Sequence, residues 1–530
     1  MSLRSLARRS TRVASLALPS LVALLGCGRA HRATPAPPDR ARATLVLFIT
    51  VDQLRPEYLE RFRGELDGGL GRLLAGGAYF TNGHHDHAIT ETAPGHATTM
   101  SGRFPRGTGI TRNLAGVNDP KYTLLGARDL GAAPFRFRGT TLTDWLKAAT
   151  PATRALSVSA KDRAAILPIG RAKESVYWYA NNGLFTTSVY YADTLPAWLR
   201  AFNDRRLPQR FAGRAWEPLL PPGAYPEPDS VPAENGGRDL VFPHRFPTDS
   251  AATAERVRFT PFIDELTAQV ALEGVRRMGL GSGPQTDVLA VSFSATDYVG
   301  HFFGPESREQ HDQVRRLDRV LGAFLDTLFT MRDPARVVIA LTADHGGGLI
   351  PELHGGRRVE IAPAMRAARA IITQGGGQPQ AADFESGAFF LDAARLGSAD
   401  PARVYQAFRE AALAIPGVAR VERFADLAQR DTTRDAFARR WLHMFPDDML
   451  PVGVVALRAG DIYDYPVIAT HGSAYDYDSN VPMLFYGAPF RPGRHGDFVR
   501  TVDIAPTLAR VLGVRPLEAL DGRPLTAALR

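Results

Sequence analysis

Three aspartates, three histidines and one threonine carry the chemistry legible in this 530-residue chain. Asp52 follows the apolar run TLVLFITV, and Asp297 with His301 follows VLAVSFSA. Asp344 and His345 end VVIALTA, while His471 lies in THGSAYDYDSN shortly before another apolar run, VPMLFYG. Carboxylate oxygen and imidazole nitrogen are ligands that zinc accepts readily, and a catalytic zinc keeps one position open for substrate. The i, i+4 spacing of Asp297 and His301 puts both on one face of a helical turn. The adjacent Asp344 and His345 suit an irregular strand-to-loop turn instead. A lone Asp or His after a strand is usually a cap or turn residue. The recurrence of both types at such places points to a two-cation site.

Thr90 to Thr98 reads TETAPGHAT. Pro94 suits the first turn of a helix, which places Thr92 close to the N-cap, at the positive end where phosphate also binds. A hydroxyl is a weak nucleophile until a cation activates it. Two cations about 3.5–4 Å apart stabilise both the attacking and leaving oxygens of an in-line displacement. The chain has four lysines, and Lys161 falls in SAKDRAAILP with Arg163 two residues on. Residues two apart project the same way from an extended strand. This pair is therefore expected to clamp phosphoryl oxygens, with arginine supplying a planar fork of donors.

For residues so far apart in sequence to meet, the strands before them must lie side by side. That predicts an α/β fold with a central, mostly parallel sheet flanked by helices, and ligands bound at the carboxyl ends of the strands. Two stretches break the strand-then-helix pattern. Residues 172–260 are rich in Tyr, Trp and Pro and are expected to form an inserted cap over the site. Residues 352–466 contain helical segments and a strand, ESGAFFLDA, and read as a second insertion. The catalytic domain is read as 44–530.

Residues 1–12 hold Arg4, Arg8, Arg9 and Arg12 with no acid, and Val13 to Leu25 is apolar. This is the pattern of a secretory signal, too short to span a bilayer. Leu24-Leu25-Gly26-Cys27 resembles a bacterial lipobox, with Leu25 where a small residue is usual, and Arg8-Arg9 raises twin-arginine export. Residues 1–27 are thus read as a lipoprotein-type signal peptide and 28–43 as a linker. A location in the periplasm or on the envelope follows. Cys27 is the only cysteine, so no internal disulfide forms. Half of the formal charge of +8 lies in those four arginines, and the remainder is too dispersed for nucleic-acid binding. Membrane contact is expected only through the lipid anchor.

Asp52, TETAPGHATTMSG, Asn113 in GITRN, SAKDRAAILPIGR, Asp297 with His301, ADHG at 343–346 and THGS at 470–473 together resemble the alkaline phosphatase superfamily. Within it they most resemble the bacterial PafA-type phosphate monoesterases with a threonine nucleophile. The resemblance implies two Zn²⁺ per chain, one held by Asp297, His301 and His471, the other by Asp52, Asp344 and His345. It implies that Thr92 bridges toward the second metal and becomes a covalent phosphothreonine, while Asn113, Lys161 and Arg163 contact phosphate oxygens. Relatives that hydrolyse diesters lack this Lys/Arg pair, so small phosphate monoesters are the implied substrates. The alternative is a phosphodiesterase or nucleotide pyrophosphatase of the same superfamily. The cysteine-type sulfatase is excluded, because Cys27 lies outside the domain. His84, His85 and His87 are assigned to the loop, His96 to support of the nucleophile turn, and Glu352 and His354 to no metal role.

Overall fold

The computed structural model of the chain describes residues 42–114 and 116–530. The signal segment, Cys27 and most of the expected linker lie outside the described residues. Within them, the runs Leu45–Val51, Asp287–Phe293 and Val337–Thr342 are buried at every position. Continuous apolar runs of this kind are what a parallel strand covered on both faces requires. The three pair in parallel, with Val51 opposite Phe293 and Thr50 opposite Thr342. Ala155–Ser159 adds a fourth parallel strand, with Ser159 opposite Ser292.

The sheet runs in the order Gly493–His495, Ala78–His84, Asn480–Tyr486, Val337–Thr342, Leu45–Val51, Asp287–Phe293, Ala155–Ser159, Ser175–Tyr179, Phe185–Thr186. Asn480–Tyr486 is antiparallel to Val337–Thr342, so its amino end lies at the edge where its neighbours have their carboxyl ends. Asp52, the segment from Ser294, Asp344 and Lys161 therefore all leave the sheet along one edge, and His471 approaches that same edge. The mostly parallel α/β fold expected from the sequence is the one observed.

Strand alternation divides the core into two layers. Leu47, Ile49, Val291, Phe293 and Leu341 face the layer that holds Ala295, Val299 and Leu317. Val46, Phe48, Ala290 and Ala340 face the layer that holds Ala93, Ala97 and Trp145. The helix Thr92–Thr99 thus packs on one face of the sheet, and the helix Ala295–Phe303 on the other.

The expected cap at 172–260 needs correction. Ser175–Tyr179 and Phe185–Thr186 are strands of the main sheet. Four of the five residues from Ser175 to Tyr179 are buried, and burial on both faces hides the alternation that marks a half-exposed strand. Two further aromatics pack on the helix Arg308–Met331, where Trp216 Nε1 donates to Asp312 at 2.7 Å and the Tyr225 hydroxyl donates to the same carboxylate. The second insertion has a core of its own, around Met365, Phe389, Val404 and Phe408. It is built on a four-stranded antiparallel sheet in the order Ala382–Glu385, Ala388–Leu391, Gly453–Leu457, Val418–Arg423. Ala88 and Ile89, just before the segment that carries Thr92, pack into a further cluster with Leu427, Trp441 and Met444 of that insertion.

Close approach fixes the helix Thr92–Thr99 against the edge of the sheet. A β-carbon at Gly95 would stand 2.0 Å from the backbone oxygen of Asp344. Gly95→Ala must therefore push the helix away from the Asp344 loop, at a cost of about 1–3 kcal/mol for overpacking. Calorimetry is expected to show a lower unfolding midpoint together with loss of turnover. An unchanged midpoint with full activity would contradict this packing.

Candidate active site

Asp52, Asp297 and Asp344 converge at the sheet edge and are almost wholly buried. Lys161 lies between two of them, with Nζ 2.9 Å from Asp52 Oδ2 and 2.5 Å from Asp297 Oδ2. Burial alone would raise the Asp52 carboxyl, but Lys161 and His96 hold it well below the usual carboxylate range. Asp297 is lowered for similar reasons by Lys161 and His301. Burial opposes the charge on Lys161, and the two carboxylates more than restore it.

The imidazoles are oriented by the backbone. Nδ1 of His301 donates to Ala469 O at 2.8 Å, Nδ1 of His471 to Thr90 O at 2.8 Å, and Nδ1 of His345 to Gly346 O at 2.9 Å. A carbonyl only accepts, so in each neutral ring the proton sits on Nδ1 and the Nε2 lone pair is free to ligate. All three Nε2 atoms face Asp297 Oδ1, at 3.3 Å for His301, 3.6 Å for His471 and 4.0 Å for His345. His345 Nε2 is also 3.3 Å from Asp344 Oδ2, and its ring stacks on that of His471 at 3.5 Å between centroids. Burial lowers His345, yet Asp344 and Asp297 lift it to about 9, while burial and the neighbouring His345 hold His471 well below the usual histidine range.

Two compact donor groups result. Asp297, His301 and His471 bring one ligand atom each within 4.8 Å of one another, and so do Asp52, His96 and Asp344. His96, expected only to support the nucleophile turn, presents Nε2 3.2 Å from Asp52 Oδ1 and 3.6 Å from Asp344 Oδ2. Its Nδ1 has no carbonyl partner, unlike those of the other three rings. The residues fit divalent cations: Lys161 is shared between Asp52 and Asp297, and Asp344 Oδ2 is buried without a hydrogen-bond donor. Buried charges of this kind are paired or coordinate metals.

Thr92 is buried beside this cluster, with Oγ1 3.5 Å from His345 Nε2. Glu91 is the N-cap and Thr92 opens the helix. Asn113 reaches the same turn, where its Oδ1 accepts from Ala93 N at 2.9 Å. The expected extended Lys161/Arg163 clamp is corrected. Lys161 caps the short helix Asp162–Ile166 and Arg163 lies inside it. Lys161 reaches directly into the carboxylates, while Arg163 pairs with Asp162 at 3.6 Å and lies near enough to Asp297 and Asp52 for their charge to favour its own.

Several residues that position the site were not identified from the sequence. Gln53 donates from its backbone to Asp344 Oδ1 at 3.0 Å and from Nε2 to Asp297 Oδ1 at 3.1 Å, tying the two donor groups together. It does so with φ of 60°, a strained left-handed conformation for a side-chain-bearing residue. Glu91 accepts from Asn113 N at 2.7 Å and from the Ser386 hydroxyl of the insertion. Asp264 accepts from Ser294 N at 3.0 Å and Ala295 N at 3.1 Å, holding the start of the helix that carries Asp297 and His301. The one available signal was Glu91 and Gln53 standing next to Thr92 and Asp52. His85 bonds Ala343 O and Thr501, and His84 bonds Ser479 and Asn82, so both serve the loop. His87 is buried edge-on against His85. His354 pairs with Glu306 and Glu352 with Arg358, away from the metal groups.

Fold and site define a superfamily hydrolase with a buried, carboxylate-rich cation centre at a sheet edge. The profile of type I phosphodiesterase / nucleotide pyrophosphatase matches residues 46–447, and the chain belongs to that family. Alkaline phosphatase PhoK of Sphingomonas sp is 33% identical over 515 residues, 91% of this chain and 90% of its own. Alkaline phosphatase PafA of Elizabethkingia meningoseptica is 28% identical, over 92% of this chain and 95% of its own. The PafA crystal structure superposes with a TM-score of 0.85 at 27% identity, covering 92% of this chain and 99% of that one. Murine ectonucleotide pyrophosphatase / phosphodiesterase 5, at 14% identity and a TM-score of 0.52, shares the fold. The chain is a hydrolase of the alkaline phosphatase/phosphodiesterase superfamily, similar over most of its length to PafA-like alkaline phosphatases.

Burial pushes the Asp264 carboxyl up to about 7, well above the ordinary 3.8 of an aspartate. A proton held more tightly in the folded than in the unfolded chain means that stability is lost as pH rises from 3.8 toward 7. Asp264→Asn keeps the acceptor for both backbone donors and removes this loss. Urea unfolding of the metal-free protein is expected to show Asp264→Asn gaining on wild type as pH rises from about 4.5 to about 7.5. Asp264→Ala, which leaves buried N–H groups unpaired, is expected to lose about 1–3 kcal/mol at either pH. A parallel pH dependence for wild type and Asp264→Asn would refute the assignment.

Proposed function

We propose that the protein hydrolyses phosphate monoesters through a phosphothreonine at Thr92, with two zinc ions held by Asp297, His301 and His471 and by Asp52, Asp344 and His345. The observation that carries this reading is the shared Nδ1-to-carbonyl orientation of His301, His345 and His471 around buried carboxylates beside Thr92. The same criterion favours His345 over His96 as a ligand, leaving His96 to orient Asp52. Carbonyl partners of this kind fix the tautomer of metal-binding histidines. Bound there, a cation pair would acidify the Thr92 hydroxyl and stabilise charge on the entering and departing oxygens.

In this reading Thr92 Oγ1 attacks phosphorus, its O–P bond forms as the ester O–P bond breaks, and the alcohol departs. Water then cleaves the phosphothreonine to restore Thr92 and release inorganic phosphate. Asn113, held by Glu91, offers its side chain beside the helix start, where oxyanion charge develops. Lys161 supplies a fixed positive charge in a dry environment, where such charge acts most strongly. A monoester dianion carries one more charged oxygen than a diester, which supports the monoesterase reading over the phosphodiesterase alternative. The high coverage by alkaline phosphatases supports it too. From the sequence alone we also propose that residues 1–27 direct export, with Cys27 lipid-modified, so that the enzyme works in the periplasm or on the envelope.

Thr92→Ala is expected to abolish turnover while elemental analysis still finds about two zinc ions per chain; more than a few per cent of residual activity would remove Thr92 as nucleophile. Lys161→Ala with Arg163→Ala is expected to lower kcat/KM for a phenyl monoester at least tenfold more than for its methyl diester. Equal losses on the two substrates would place the enzyme with the diesterases.

A further inference from the structure

Beside His301 and His471 opens a cavity of about 1060 Å³, lined by Glu91 and Asn113 on the core side and by the second insertion on the other. Pockets for whole small molecules run to about 300–1,000 Å³, so this one has room for far more than a phosphoryl group. Among the described residues none from 172–260 lines it, so the second insertion is the part of the chain that meets the substrate's alcohol.

The charge on its walls is uneven. Arg420 is engaged by Glu422 and Asp435, Arg430 by Glu422 at 3.0 Å, Arg434 by Asp431 at 3.7 Å, and Arg440 by Asp476 at 2.7 Å. The carboxylates outnumber these cations. Glu385 is bonded to Arg112 at 2.6 Å, and its chain neighbour Ser386 donates to Glu91, the residue directly before Thr92. Burial raises Glu385 to about 7, and Glu91 and Asp383 add to the rise against the pull of Arg112. Negative charge is therefore crowded next to the nucleophile, and a bound cation would relieve it. Tyr465 contributes an aromatic ring to the same wall. Further carboxylate oxygens on the lining, Asp461 Oδ2 and Asp478 Oδ1, are buried without partners, as is the indole N–H of Trp441.

Building on the monoesterase reading, we propose that this cavity receives the alcohol half of the ester and selects phosphorylated amino alcohols, whose ammonium lies near the ester oxygen, over alcohols that carry a carboxylate. Glu385 and Glu91 supply the countercharge and Tyr465 the aromatic face against which an ammonium is attracted. Charge complementarity of this kind sets specificity, because a carboxylate in the same place meets repulsion.

The test measures kcat/KM for O-phosphoethanolamine, ethyl phosphate and phosphoglycolate with the zinc-loaded enzyme. Wild type is expected to prefer them in that order. Glu385→Gln is expected to shrink the ratio of the first to the second by about two- to fivefold, the range for a partly exposed ion pair. Glu385→Asp is expected to retain most of it. The differing reactivity of the alcohols cancels in this wild-type-to-variant comparison. With wild type alone, 2-aminoethylphosphonate should inhibit at least about threefold more tightly than propylphosphonate, which carries no charge at that end. Equal inhibition, or a substrate ratio unmoved by Glu385→Gln, overturns the inference and leaves the monoesterase reading standing. Failure to hydrolyse any monoester overturns both.

Discussion

Three carboxylates held out of water within reach of one another are the constraint around which this molecule is arranged. Each buried ion carries a desolvation cost of several kcal/mol that only countercharge and hydrogen bonds offset. Lys161 answers two of them directly, Ser292 and Gln53 donate to the oxygens that face the sheet, and imidazoles line the remaining side. The donor groups left without partners are the place for divalent charge. Chain order then follows from electrostatics as much as from packing, since every strand of the central parallel set except Ser175–Tyr179 ends in a segment that contributes one of these groups.

The two core layers divide the work. Thr92 is presented from the helix on one face, and Asp297 with His301 from the helix on the other. The sheet between them sets their separation, and Gln53 bridges across its edge. The second insertion is not a loose appendage on this frame. Its cluster around Trp441 and Met444 takes in Ala88 and Ile89, and Ser386 bonds the carboxylate that also holds Asn113. Whatever occupies the cavity beneath the insertion therefore bears on the same few residues that frame the phosphoryl position.

Much of this was legible in the sequence, for definable reasons. The central strands announced themselves because double burial demands unbroken apolar runs, and their polar followers stood out against that background. The same double burial hid Ser175–Tyr179, whose tyrosines and tryptophan read equally well as a surface-seeking cap. Lys161 and Arg163 were placed on an extended strand because spacing alone does not reveal that the strand stops at Ser159. Glu91 and Asp264 act through backbone N–H groups of distant segments and Gln53 through distant carboxylates, and no local pattern encodes such partners. His96 illustrates the boundary: the sequence places it in the helix that Thr92 opens, but its closeness to both Asp52 and Asp344 depends on how far that helix approaches one loop.

The strands Leu45–Val51 and Asp287–Phe293 match residue for residue along seven pairs. A slip of one position would shift a ligand group by about 3.3 Å and turn its side chain to the opposite layer. No half-assembled centre is consequently available to a chain whose ladder has not closed. Assembly of the carboxylate cluster is therefore a gauge of completed folding, because its members come within reach of one another only once the ladder has closed.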